Sequence, residues 1–251
     1  MFDRVGFKEN GKLLLRRNYW TPFLVCLVAG LLGGSSGFSS SAGGNAGNVY
    51  SGGSYNGSID LDGTTALVVI IAIIVALVVL AISLAIVFFL QYPISVGKHR
   101  FFMENRERVT DFNVLFYGYR NGRLKGIIKG MWAVSWRVFL WSLLLVVPGI
   151  IKSYEYRMVP YILAENPEID TLRALEISRE MTQGDKLNLW IMDLSFIGWY
   201  LLGTLACCVG TLFVTPYVET SFAECYQYMR EKALTEQFAT AIELPGFALS
   251  E

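Results

Sequence analysis

An uncharged apolar run from Thr64 to Leu90 constrains this chain more than any other feature. Most of it reads ALVVIIAIIVALVVLAISLAIVFFL. At about 1.5 Å per residue, a helix of this length exceeds the roughly 30 Å hydrocarbon core of a bilayer, so we expect it to tilt or protrude. The β-branched residues do not favour a strand, because the length of the run requires a helix. The run therefore predicts a membrane-spanning helix.

The composition indicates the same class for the whole chain. Of its 251 residues, 53% are hydrophobic and 17% are charged, whereas soluble domains are about 25% charged. The formal net charge is zero, so no overall field favours nucleic acid as a partner. The four cysteines lie in or beside apolar runs without a CxxC pair, and His99 has no neighbouring ligand in the sequence. We therefore expect no metal site and no cofactor.

Apolar segments recur along the chain and predict an all-α, polytopic transmembrane helical bundle of about six spans, with short interfacial helices. We expect a single membrane domain over residues 1–251, with spans at residues 18–34, 64–90, 131–147, 150–164, 187–205 and 209–228. The first span resembles a signal peptide, but Tyr19, Trp20 and Pro22 favour an uncleaved helix with an interfacial anchor. The Gly/Ser/Asn-rich residues 35–63 predict a flexible outer loop.

The distribution of Lys and Arg predicts the orientation. Positive residues near span ends mark the cytoplasmic side, and they are concentrated before the first span and in residues 91–131. We therefore expect a multi-pass membrane protein with both termini in the cytoplasm. Pro148 and Gly149 predict a break that forms a hairpin. Without this hairpin only five spans remain, so both counts stay open.

Two shorter stretches predict features near the inner interface. Asn166 and Pro167 favour a helix start, and the helix that follows should lie along the interface on its apolar side, which carries Leu172, Leu175 and Met181. Upstream, three glycines spaced by four residues share one helix face. Either this stretch binds anionic lipid headgroups, or its glycines close-pack a helix whose lysines are solvated. The candidate headgroup contacts are Arg123, Lys125 and Lys129.

Several ionisable residues fall inside the predicted spans. Charges within a membrane are costly, so they usually form pairs or face a wet cavity. Arg157 and Asp193 have opposite charge and similar estimated depth, and we predict an ion pair between them. The set has two interpretations: ion pairs that hold the helices together, or a polar cavity for binding or transport. The candidate intramembrane polar cluster is Lys152, Glu155, Arg157, Asp193 and Glu219.

Four segments in the second half of the chain resemble the bacterial domain of unknown function 975 family. They lie in order between Trp141 and Met229 and read WSLLLVVPGIIKSYEYRMVPYILAENPEI, ALEISREMTQGDK, LSFIGWYLL and VTPYVETSFAECYQYM. The chain also resembles, more distantly, the membrane domain attached to some glycerophosphodiester phosphodiesterases. The resemblance implies a multi-span integral membrane protein of the bacterial cytoplasmic membrane. Because the activity of the family is unknown, the resemblance assigns no catalytic residue.

No motif in the sequence indicates a reaction. The chain has no phosphate-cradling glycine motif and no acidic cluster beside a histidine. We therefore expect a non-enzymatic accessory or scaffold protein of the bacterial cell envelope. Its expected partners are membrane lipids, together with another membrane protein or a second copy of the chain. The alternative is a small transporter, or a lipid- or peptide-binding protein that uses a charged cavity within the membrane.

Overall fold

The computed structural model describes residues 2–33, 63–120, 122–205 and 209–247. These residues form helices and turns without a strand, which confirms the predicted all-α class. A π-helical turn, Val87–Gln91, and a 3-10 helix, Phe112–Tyr119, accompany the α-helices. The α-helices are α1 Arg4–Arg17, α2 Trp20–Gly33, α3 Gly63–Ile86, α4 Tyr92–Glu107, α5 Leu124–Leu144, α6 Val146–Glu155, α7 Val159–Glu165, α8 Thr171–Thr182, α9 Lys186–Leu205 and α10 Val209–Thr235.

The predicted outer loop lies outside the described residues, except that Gly63 already begins α3. Two helices of the described chain are long and apolar enough to cross a membrane, Leu67–Glu107 and Leu124–Leu144. A shorter apolar stretch, Trp20–Gly30, lies in α2. By length and composition these helices give weak support for membrane association, and the arrangement with six spans stays a prediction.

The helix that contains the predicted second span does not end at Leu90. The helix continues through the π-helical turn into α4, so part of the segment predicted as a polar connection is also helical. The two parts differ in their surroundings. The large apolar side chains of α3 from Leu67 to Ile86 are 48–64% exposed, whereas α4 is buried against α2, α7 and α10. The uncharged half therefore projects from the body, and the charged half forms its centre.

The hairpin between the third and fourth predicted spans turns three residues before the predicted Pro148. Leu145 has extended backbone angles, φ −158° and ψ 140°, and separates α5 from α6. Pro148 lies in the first turn of α6, where its missing N–H would have no helical acceptor. Gly149 faces α5, since a Cβ atom there would lie 2.8 Å from the Cα atom of Ser142. The proline therefore lies in the first turn of the returning helix and does not form the hairpin turn.

The predicted fourth span, residues 150–164, is not one helix. α6 ends at Glu155, and α7 begins at Val159 after a short turn. At about 1.5 Å per residue, the ten residues of α6 extend only about 15 Å. The predicted helix start at Asn166 is also wrong, because Asn166 ends α7 and the carboxylate of Asp170 caps α8.

α8 packs into the body more deeply than an interfacial helix would. Leu175 and Met181 are buried, whereas Leu172, which was predicted on the same apolar side, is 64% exposed. The buried face of α8 also includes Ala174, Ile177, Ser178 and Thr182. The small Ala and Ser side chains let α8 approach α6 and α7, which the apolar pattern alone did not indicate.

We predict that Gly149→Ala destabilises the hairpin. The new methyl group would meet the backbone of Ser142, and overpacking of this kind costs about 1–3 kcal/mol. Gly198→Ala in α9 is the matched control, because a Cβ atom there meets nothing within 4 Å and alanine favours a helix over glycine. Thermal unfolding in detergent should show a lower midpoint for Gly149→Ala only. Equal midpoints for the two variants would contradict the close α5–α6 contact.

Candidate functional site

The predicted pair of Arg157 and Asp193 is present in the structure. The guanidinium Nη1 and Nη2 atoms donate to the two carboxylate oxygens at 2.8 and 2.9 Å. The Tyr154 hydroxyl donates to the same carboxylate at 2.8 Å, and the Phe222 ring lies 4.2 Å from the guanidinium. A two-pronged contact of this kind fixes both distance and orientation. It therefore ties the turn between α6 and α7 to α9.

Glu155 forms the centre of a second group. Its carboxylate accepts from the Lys152 ammonium at 2.8 Å and the Lys186 ammonium at 2.9 Å, with the Arg179 guanidinium at 3.5 Å. Its backbone carbonyl accepts from the Ser178 hydroxyl at 2.8 Å. One buried residue therefore holds α6, α8 and α9 together.

Glu219 belongs to neither group and pairs with α4. Its carboxylate lies 2.6 Å from the Lys98 ammonium and 3.6 Å from Nδ1 of His99, whose ring packs 4.2 Å from that of Tyr161. The five predicted cluster residues thus divide among three sites. Sequence reasoning missed Lys98, because it ended the long helix at Leu90.

Glu165 is a further buried carboxylate that sequence reasoning missed. It accepts from the Tyr226 hydroxyl at 2.6 Å, the Arg230 guanidinium at 2.8 Å and the backbone N–H of Gly246 at 2.6 Å. Three donors satisfy a carboxylate that has no exposed side-chain surface. Glu165 therefore attaches the C-terminal segment to α7 and α10.

Arg100 in α4 is another buried charged residue with several partners. Its guanidinium donates to Glu104 and to the carbonyl of Ala164, both at 2.7 Å. The Tyr117 ring lies 3.8 Å from it and the Phe247 ring 4.9 Å. A signal for Arg100 existed in the sequence, since Arg100 and Glu104 are four residues apart, but the long-range contacts depend on the fold.

A family model for a protein of unknown function, DUF975, matches residues 64–233 of this chain. The chain belongs to the DUF975 family. The match begins well before Trp141, where the resembling segments begin, and it includes the Arg157, Glu155 and Glu219 groups. Neither the curated proteins nor the solved structures include a match.

Two parts of this DUF975 protein lie outside the family match: residues 1–63 and the segment after residue 233. The C-terminal segment is nevertheless built onto the matched part. Arg173 of α8 donates to Glu243 at 2.6 Å and to the carbonyl of Phe238 at 2.7 Å, and Arg230 donates to the carbonyl of Leu244 at 2.8 Å. Arginine side chains from the matched region therefore hold the tail in place.

The candidate headgroup residues lie where α5 begins. Lys125 and Lys129 are exposed, and the guanidinium of Arg123 packs 4.4 Å from the Tyr117 ring. Arg123 and Lys129 line a cleft of about 260 Å³, but Glu168 and Asp170 line it too. The charges of this cleft are balanced, so it gives no preference for an anion.

The glycines beside these residues have different roles. Gly130 approaches Leu163, where a Cβ atom would lie 2.7 Å from Cδ1. Gly126 faces the carbonyl of Pro167 even more closely. Gly122 has a φ of +71° and precedes α5. Close packing therefore accounts for two of the three glycines, and a left-handed turn accounts for the third.

The structure also bears on metal binding and cysteine chemistry. No group of three or more His, Cys, Asp or Glu residues suited to a metal ion occurs within the described ranges. Cys26 and Cys225 are buried free thiols, and Cys207 and Cys208 lie outside the described residues. The described thiols therefore serve as small packing residues.

We predict strong energetic coupling between Arg157 and Asp193. Their side chains are about one-third exposed, so we expect single Leu substitutions to cost about 1–3 kcal/mol each, between the values for exposed and buried pairs. The double variant Arg157→Leu with Asp193→Leu should recover much of this loss, because neither charge is left alone. A double-mutant cycle on thermal stability in detergent measures the coupling. Additive losses would contradict it.

We predict that the tail contact weakens in acid. Hydrogen bonds from Arg173 and Thr240 lower the pKa of Glu243 from 4.5 to about 2. Because the folded pKa lies below the ordinary value, the contact contributes its full stability above about pH 4.5 and loses it as the pH falls through about 2. The stability difference between the wild type and Glu243→Gln should therefore shrink from pH 6 to about pH 2. A constant difference would contradict this contribution.

Proposed function

We propose that this DUF975 protein is a non-enzymatic integral membrane protein that acts as an accessory or scaffold protein in the bacterial cell envelope. Membrane insertion is supported by α3, because its large apolar side chains from Leu67 to Ile86 are exposed around the whole helix. A soluble protein rarely exposes a continuous apolar surface of this size. Acyl chains are the environment in which such a helix is stable.

The proposed arrangement has both termini in the cytoplasm and six membrane-inserted segments. It is supported by the excess of Lys and Arg in α1 and in the segment after α3. The hairpins α5–α6 and α9–α10 each return the chain to the side from which it entered. Membrane lipids are the expected surroundings of the exposed segments.

One observation carries the scaffold role. Each of the five candidate charges forms an ion pair with another protein residue, and the shortest distance for each pair lies between 2.6 and 2.9 Å. The Lys152–Glu155 pair lies within α6, and the other pairs each join one helix to another or to a turn. Such groups are engaged in holding the helices, as a structural role requires.

The alternative is a small transporter, or a lipid- or peptide-binding protein with a charged cavity. It needs space among the charges for a ligand. Two clefts are present, one at the start of α5 with basic and acidic residues and one between α3 and the 3-10 helix with apolar residues. None of the five candidate charges lines either cleft. The direct pairing of the charges therefore favours the scaffold role over this alternative.

We predict that Gly184 lies in the cytoplasm. It has a φ of +85°, and a Cβ atom there would meet nothing within 4 Å, so a fused reporter is tolerated at this turn. A fluorescent protein fused there should fluoresce, and alkaline phosphatase should be inactive. An active phosphatase would place the turn outside, contradict the proposed orientation and favour five spans over six.

Purification from native membranes in mild detergent tests the function. A scaffold should retain another membrane protein, or a second copy of itself, in a fixed ratio. The double variant Arg157→Leu with Asp193→Leu should keep that partner, because the pair is structural. A folded double variant that loses a bound lipid or peptide would support the alternative instead.

A further inference from the structure

The N-terminal helix α1 shows how much of α10 can enter the bilayer. α1 runs antiparallel to α10. The Phe7 ring lies 5.6 Å from that of Tyr228, Gly11 packs against Ser221, and the Lys12 ammonium lies over the Tyr217 ring at 5.7 Å. The two helices therefore lie side by side from Tyr228 to Tyr217.

The outer face of α1 is charged and exposed. It carries Glu9, Arg16 and Arg17. Such a face is stable in water or among lipid headgroups, but it is costly within hydrocarbon. The adjoining part of α10, including Glu219, therefore lies outside the acyl region as well.

Contact with the charged helix α1 also places Asp193 outside the acyl region. The ammonium group of Lys8 donates to the Ser195 hydroxyl and packs 4.4 Å from the Phe196 ring. Asp193 lies two residues closer to the start of α9, which is the end away from the α9–α10 tip. The Arg157–Asp193 pair is therefore also beside the charged helix α1.

Aromatic residues mark the level at which insertion begins. The chain turns between α1 and α2, where the Tyr19 hydroxyl donates to the carbonyl of Phe213 at 3.3 Å and Trp20 is 69% exposed. Tyr and Trp favour the boundary between headgroups and acyl chains. From Phe213 back to Val209, α10 extends only about 6 Å further.

The α5–α6 hairpin is similarly shallow. The Lys152 ammonium binds Glu155 and lies 5.6 Å from the Trp141 ring of α5. These contacts place a charge beside α5 at the level of Trp141. From Lys152 to the turn at Leu145, the helix extends about 10 Å. This is less than one leaflet, about half of a roughly 30 Å core.

Both tips are apolar and exposed. Residues 143–147, the α5–α6 tip, are 63–74% exposed. At the α9–α10 tip, exposure reaches 69% at Leu201, 62% at Leu202 and 84% at Leu205. Arg16 and Arg17 are exposed at the end of α1, next to the turn that carries Tyr19 and Trp20, and form a basic collar that suits anionic headgroups.

We propose that the two hairpin tips insert into the inner leaflet without crossing the bilayer, and that all five candidate charges lie beneath the acyl region. The inference rests on the proposed membrane location and orientation. The partner of the two tips is the acyl layer of one leaflet, and anionic headgroups contact the basic collar. It leaves the sidedness of both termini unchanged, because a hairpin returns to the same side whether or not it crosses.

Single-cysteine labelling tests this insertion in the full chain, with the four native cysteines replaced by alanine. Leu145→Cys and Leu202→Cys report the two tips, and Val146→Cys and Leu201→Cys replace them where a variant folds poorly. Ser54→Cys reports the outer side, and Glu9→Cys reports the inner side. A membrane-impermeant charged maleimide is applied to spheroplasts, to inverted vesicles and to denatured protein.

In spheroplasts, tip cysteines should react at least about tenfold more slowly than Ser54→Cys, and in inverted vesicles at least about tenfold more slowly than Glu9→Cys. The reason is that the acyl region excludes water and the reactive thiolate. They should react fully once the protein is denatured. Fast reaction in spheroplasts would show that the tips reach the outer surface, and fast reaction in inverted vesicles would show that they are not inserted; either result overturns the inference. A protected Ser54→Cys in spheroplasts overturns the proposed orientation instead, while protection of the tips still decides their insertion.

Discussion

The buried pair of Lys98 and Glu219 joins α4 to α10, the two helices around which the body is built. α4 contacts α2, α5 and α7, and α10 contacts α1, α8 and α9. Both side chains are at most 10% exposed, so loss of either partner would leave an uncompensated charge in a low-dielectric site. The pair therefore fixes the relative position of α4 and α10, and the other helices pack on that frame.

Other carboxylates extend the same principle. Asp193, Glu155 and Glu165 each receive donors from different elements, so each joins parts of the chain that are distant in sequence. Replacing buried ion pairs with apolar residues is often neutral in stability, because desolvation offsets much of the attraction. Their value here lies in specificity, since an apolar contact tolerates a helix shift and a two-pronged Arg–carboxylate contact does not.

The sequence predicted the helical class, the long apolar helix and the Arg157–Asp193 pair. Each of these depends on local length, hydropathy or sign of charge, which a sequence records directly. The turn at Leu145 was missed because proline both ends a helix and suits the first turn of the next one. The buried half of α4 was missed because its Lys and Arg residues resemble a solvated segment until their carboxylate partners are known.

The division of the charged cluster follows from a contact that no local pattern contains. α1 is short and basic, and by composition it indicates only a cytoplasmic N-terminus. Its packing along α10 from Tyr228 to Tyr217 makes it a depth marker, because lipid cannot surround that part of α10 while a charged helix covers it. Hydropathy assigns Glu219 and Asp193 to spans because their helices are apolar near the tips. Packing assigns the same residues to the body beneath, where their partners Lys98 and Arg157 also lie.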